Sequence, residues 1–199
     1  MHNRLVLLAL LALTVGACAA PRHNAPQAAT AAPATTAAPA TRPSTASTGP
    51  ARQPPRGILP VARRQPAPAL HVTAFDGRTV TLDGFRGRPV VVSFFESWCP
   101  SCQAEQPDLS KVATEFAGRA GFVGVSYHDT VAAGRAYQRR FGIAYPLAND
   151  ASGRTWARWR VPYQPVTVLV DQQGRIAERF DGGTTAATLR TALAYLVGE

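Results

Sequence analysis

Residues 89–107 read PVVVSFFESWCPSCQAEQP, and the fold can be inferred from this segment. Pro89–Phe95 is a continuous apolar run, the pattern of a strand buried on both faces. A helix is expected from about Cys99 to Ala117, because Leu109, Val112, Ala113 and Phe116 recur at i, i+3, i+4 and i+7. Gly118 suits its C′ position, and Pro107 inside it should kink it. The two cysteines of Trp98-Cys99-Pro100-Ser101-Cys102 therefore fall at the start of a helix that follows a buried strand. A thiolate is the nucleophile in disulfide exchange, and unpaired N–H groups at a helix N-terminus favour the charged sulfur of Cys99. Cys102 returns to the same side one turn later, where it can attack a mixed disulfide on Cys99 and release the product. Pro100 pre-sets the first turn, where its missing N–H costs little.

On either side of this segment, HVTAF and TVTL read as short strands around Asp76–Gly77, and Phe122–Tyr127 (FVGVSY) as a second buried strand. Ala133, Tyr137 and Phe141 mark a helix closed by Gly142; Trp156 and Trp159 mark a short one. Val166–Asp171 and Arg175–Phe180 form a hairpin, and Thr184 is expected to cap a last helix with Leu189, Ala192, Leu193 and Leu196 on one face. Strands alternating with helices, ending in a hairpin and helix, predict an α/β sandwich around a mixed central β-sheet.

FFESWCPSCQAEQP resembles the active-site segment of the thioredoxin superfamily, most closely its TlpA/ResA/DsbE branch of extracytoplasmic thiol-disulfide oxidoreductases. The entry FDGRTVTLDGFRGRPVVVSFF and the late YQPVTVLVDQQGRI carry the same resemblance, which covers about residues 66–199. It implies a thioredoxin-like fold with helices flanking the sheet. It also implies that Pro165, rather than Pro162, is a cis proline facing the cysteines, with Gln164 before it; a trans edge proline is the alternative. By the same resemblance Glu105 tunes cysteine protonation and Trp98 packs over the site. The plainer alternatives are a first-turn acid favoured by the helix dipole and an ordinary core aromatic. The buried aspartate of thioredoxin corresponds to Ser93 here, so that proton relay is absent. Glu96, three residues before Cys99, is expected in solvent.

Other sulfur and metal chemistries fit less well. A peroxiredoxin would carry P-x-x-x-T-x-x-C, but Val92 and Glu96 stand at the Pro and Thr positions. Haem attachment needs C-x-x-C-H, and Gln103 follows Cys102. A copper chaperone of the Sco type would need C-x-x-x-C; His128 is the one tempting imidazole, at the wrong spacing. Zinc needs four ligands, and only Cys99 and Cys102 are at hand. No metal and no cofactor are expected, since the dithiol itself carries two electrons.

The N-terminal part reads differently. Leu5–Val15 is an apolar run too short to span a bilayer and fits a signal peptide over residues 1–17. It ends in VGAC, which resembles a bacterial lipobox and points to lipidation of Cys18; an ordinary signal cut after Ala17, Ala19 or Ala20 is the alternative. Residues 19–70 hold 11 of the 17 prolines and 16 alanines without one Phe, Trp or Tyr, too little apolar surface to offset the entropy of ordering. Residues 18–65 are therefore read as a disordered tether and 66–199 as the folded domain. The chain carries 21 Lys+Arg against 12 Asp+Glu, a net charge of +9. Seven of those arginines and no acid lie in Met1–Leu70, so the positive charge belongs to the tail and a nucleic-acid-binding domain is disfavoured.

Together these features predict a monomeric, lipid-anchored, extracytoplasmic enzyme. Its partners would be exported protein thiols and disulfides and a membrane redox protein that recycles it. A reducing role, which by resemblance could serve apocytochrome c, is favoured over disulfide formation in secreted proteins. A non-catalytic binding lipoprotein on the same fold is the remaining alternative.

Overall fold

The computed structural model describes residues 52–199. The signal peptide, Cys18 and most of the tether lie outside the described residues.

The strands are β1 His71–Ala74, β2 Thr79–Thr81, β3 Val90–Phe94, β4 Gly121–Ser126, β5 Leu147–Asn149, β6 Val166–Val170 and β7 Ile176–Asp181. The helices are α1 Pro100–Glu115, α2 Val131–Arg140, α3 Arg154–Arg158 and α4 Ala186–Val197. The strands form one mixed sheet in the order β2-β1-β5-β4-β3-β6-β7. β3, β4 and β5 run parallel; β6 pairs antiparallel with β3, and β7 with β6. This is the thioredoxin-like α/β fold.

The apolar run at β3 is central because its side chains are needed on both faces. Val91 and Phe95 join a core completed by Leu109 and Val112 of α1 and by Leu189, Leu193 and Leu196 of α4. Val90, Val92 and Phe94 face the opposite core, with Trp156 and Trp159. Phe94 packs edge-on against Trp156, ring centroids 5.9 Å apart, a favoured aromatic geometry.

Two expectations need correction, and one strand went without an expectation. The cap of α4 is Thr185, whose hydroxyl accepts the Thr188 N–H; Thr184 instead turns its own N–H to Glu105. β5 carries no sequence signal, being three residues between Pro146 and Asp150. The folded part also begins upstream of residue 66. Ile58 is buried in the α1/α4 core, Leu59 N–H bonds to the Ala177 carbonyl, and the Arg64 side chain is fully enclosed. One aliphatic and one ion-paired arginine hold a segment whose composition resembles the tether.

Candidate active site

β3 ends at Phe94 and α1 begins at Pro100, so the short link between them delivers Cys99 to the helix N-cap. Cys99 Sγ accepts the N–H of Cys102 at 3.3 Å, as a capping side chain does. Both cysteines are buried and free. Burial pushes the Cys102 thiol well above its ordinary range, the adjoining Cys99 sulfur adds to this, and a main-chain hydrogen bond from Glu96 opposes it. Tyr137 of α2 donates its hydroxyl to the Cys102 carbonyl at 3.1 Å, fixing the first turn of α1 from the side. The Pro107 expected inside the helix is there.

The Gln164–Pro165 peptide is cis, and Pro165 is buried at the start of β6. Glu105 is buried too. Its Oε1 accepts from Thr167 Oγ1 at 3.3 Å and from Thr184 N–H at 3.1 Å. Burial pushes its carboxyl up to about 6, although both hydrogen bonds pull the other way. Thr167 is the β6 partner of Ser93, so a buried carboxyl reaches this part of the sheet from α1 instead of from β3. Gly183, at φ +101°, closes the loop over the same spot; a Cβ there would lie 3.4 Å from Glu105 Oε2 and 3.5 Å from Pro165 Cγ. Glu105 and Pro165 are thus brought together, and the Glu105 charge is felt at Cys102.

Trp98 is 60% exposed and Tyr163, two residues before Pro165, is 50% exposed. Trp98 is not a core aromatic. The expectation for Glu96 fails: its side chain is fully buried and accepts from Ser126 Oγ and from the N–H groups of Tyr127 and His128. The reason is tertiary, since β4 ends beside the β3–α1 link and offers three donors there. His128 is exposed but holds Nδ1 3.2 Å from Glu96 Oε1. Sequence reasoning named Tyr137 and Thr184 only for their helices and missed Asp129; for Glu96, an acid inside FFESW was the one available signal.

A model of the AhpC/TSA family matches residues 64–179. The chain belongs to that family. The soluble secreted antigen MPT53 of Mycobacterium tuberculosis is 34% identical over 134 residues, covering 67% of this chain and 73% of that protein. The thiol:disulfide interchange protein DsbE homolog of Paracoccus denitrificans is 34% identical over 119 residues, 58% of this chain and 64% of that one. Among solved structures, a secreted M. tuberculosis disulfide oxidoreductase homologous to E. coli DsbE aligns with a TM-score of 0.58 and 29% identity, over 64% of this chain and 96% of that one. This AhpC/TSA member is a thiol-disulfide oxidoreductase of the DsbE/ResA/MPT53 type with a C-x-x-C pair. With Val92 and Glu96 ahead of Cys99, it lacks the Pro and Thr of the peroxidatic motif.

Proposed function

We propose that Cys99 and Cys102 exchange a disulfide with exported protein clients outside the cytoplasm, working mainly as a reductant. The observation that carries this reading is the asymmetry of the pair. Cys99 Sγ is seated on a helix-start N–H, whereas burial keeps Cys102 protonated until its turn comes. Cys99 attacks the client disulfide and one client sulfur leaves. Cys102 then loses its proton and attacks Cys99, releasing the second client sulfur and leaving a Cys99–Cys102 disulfide. Two electrons pass to the client. Glu105, whose charge is felt at Cys102, is the group that takes the proton. Trp98, Gln164 and the cis Pro165 line the path of an extended client strand. Lipidation at Cys18 would anchor the enzyme, and palmitate labelling of the wild-type chain checks it. A membrane redox protein would return the pair to the dithiol.

Direction follows from the energetics of the reduced form. Strong oxidants stabilise their reduced form through a charged sulfur, and Cys102, held as the neutral thiol by burial, supplies none. Equilibration with glutathione should therefore place the pair nearer the thioredoxin end, about −270 mV, than the DsbA end, about −120 mV. A value at the oxidising end would reverse the direction proposed.

The acid–base role has its own signature. Below about pH 6 Glu105 is protonated and cannot accept. Turnover limited by release from Cys99 should thus rise through about pH 6, falling about tenfold per unit below it. Glu105→Gln should lower the plateau and erase that limb. A stopped-flow pH profile in which the Glu105→Gln variant retains the wild-type limb would remove Glu105 from the mechanism.

A further inference from the structure

The link that carries Cys99 is held by two buried carboxylates that reach in opposite directions. Glu96 Oε1 accepts the N–H of Tyr127 at 3.1 Å and of His128 at 3.0 Å, and Oε2 accepts Ser126 Oγ at 3.0 Å. In return Asp129 accepts the N–H of Ser97 at 2.9 Å and its hydroxyl at 2.6 Å. Ser126 Oγ also accepts the Asp129 N–H at 3.2 Å, which joins the two carboxylates in one network. The main chain between them touches both cysteines. The Glu96 carbonyl accepts the Cys99 N–H at 3.1 Å, and the Glu96 main chain hydrogen-bonds Cys102 in the sense that favours its thiolate. Gln103 of α1 donates to the Ser97 carbonyl at 2.8 Å.

A buried carboxylate is tolerated only where donors surround it, and charge-assisted bonds to several fixed donors leave it one position. We propose that Glu96 and Asp129 form a reciprocal clamp that positions the main chain around Cys99 and Cys102 and thereby sets the balance between dithiol and disulfide. The proposal rests on Cys99–Cys102 being the redox pair. Neither carboxylate is a catalytic residue: both act through the peptide groups they hold. The Cys102 N–H directed at Cys99 Sγ, 3.3 Å away, holds a reduced sulfur, which accepts more strongly than a disulfide sulfur, and that preference depends on angle and distance. When the clamp is released, the reduced form loses more than the oxidised one.

The test is redox equilibration of the full chain with glutathione, with thermal denaturation measured alongside. One S–S bond forms in the protein as one breaks in oxidised glutathione, and two electrons and two protons pass to yield two glutathione thiols. Glu96→Gln keeps the shape but presents an amide to fixed donors; its equilibrium should move about tenfold toward the protein disulfide, which is about 30 mV. Ser97→Ala keeps both carboxylates, and so separates positioning from charge; about a threefold shift in the same direction is expected. A role in folding alone would lower the melting temperature and leave the equilibrium in place. A folded Glu96→Gln protein within twofold of wild type, or displaced toward the dithiol, overturns the clamp. If that variant does not fold, Ser97→Ala decides, and an unmoved equilibrium overturns it equally. A wild-type chain that never equilibrates with glutathione would instead sink the redox reading of the pair, and the clamp with it.

Discussion

Replacing Cys99 with serine will abolish turnover of a disulfide client, by more than about 10³-fold in kcat/KM, because a serine hydroxyl cannot form or leave a disulfide. Replacing Cys102 with serine will give a different result. The buried thiol that expels the client is gone, so Cys99 still attacks and the mixed disulfide accumulates. Mass spectrometry of non-reduced protein should show the Cys102→Ser chain carrying its client, while the Cys99→Ser chain carries none. The difference comes from placement: Cys99 caps α1 and Cys102 lies one turn along it, its carbonyl bonded by the Tyr137 hydroxyl. If the two variants behaved alike, the division of labour between attacking and resolving sulfurs would have to be abandoned.

A second marked loss is expected in stability, far from the sulfurs. Arg64 Nη1 lies 3.1 Å from Asp171 and 2.7 Å from Glu199, and both the Arg64 and Asp171 side chains are wholly enclosed. Nη2 completes a two-pronged contact with Glu199, and Nε donates to the Leu59 carbonyl. Removing one member of a buried ion pair costs about 3–5 kcal/mol, since the partner charge stays buried. Asp171 retains Arg175 Nε at 2.9 Å and two backbone N–H groups, which sets the expectation for Arg64→Ala at the lower end, about 3 kcal/mol. For a domain of this size that corresponds to a fall of about 9 °C in Tm. Arg190→Ala breaks a solvent-screened surface pair with Glu115 and should cost far less. Urea denaturation of both variants checks the contrast; equal losses would mean that the Arg64 cluster contributes no more than a surface pair.

That cluster also shows where sequence reading stops. An arginine in a Pro/Ala-rich, aromatic-free segment looks like any tether residue, because its partners Asp171 and Glu199 are more than a hundred positions away. Glu96 fails for the same reason. A charged residue three positions before a cysteine reads as exposed until the end of β4 brings Ser126, Tyr127 and His128 to it. β5 shows the complementary failure: with three residues it is too short for a period to be detected, and it exists because β4 and β1 offer it edges on both sides. Thr184 and Thr185 are both adequate caps chemically, and only the loop geometry decides which hydroxyl meets the Thr188 N–H.

Much that depends on near neighbours along the chain was legible from the residues alone. The apolar run of β3, the repeat of α1 and the cysteines one turn apart are local patterns, and they were enough for the fold and for the type of chemistry. Three-dimensional packing was needed to show which donors hold Glu105 beside the cis proline, which charges are buried, and where the folded part begins. These depend on groups distant in sequence meeting in a low-dielectric interior, where the energy of a charge is set by its surroundings and not by its own chain position.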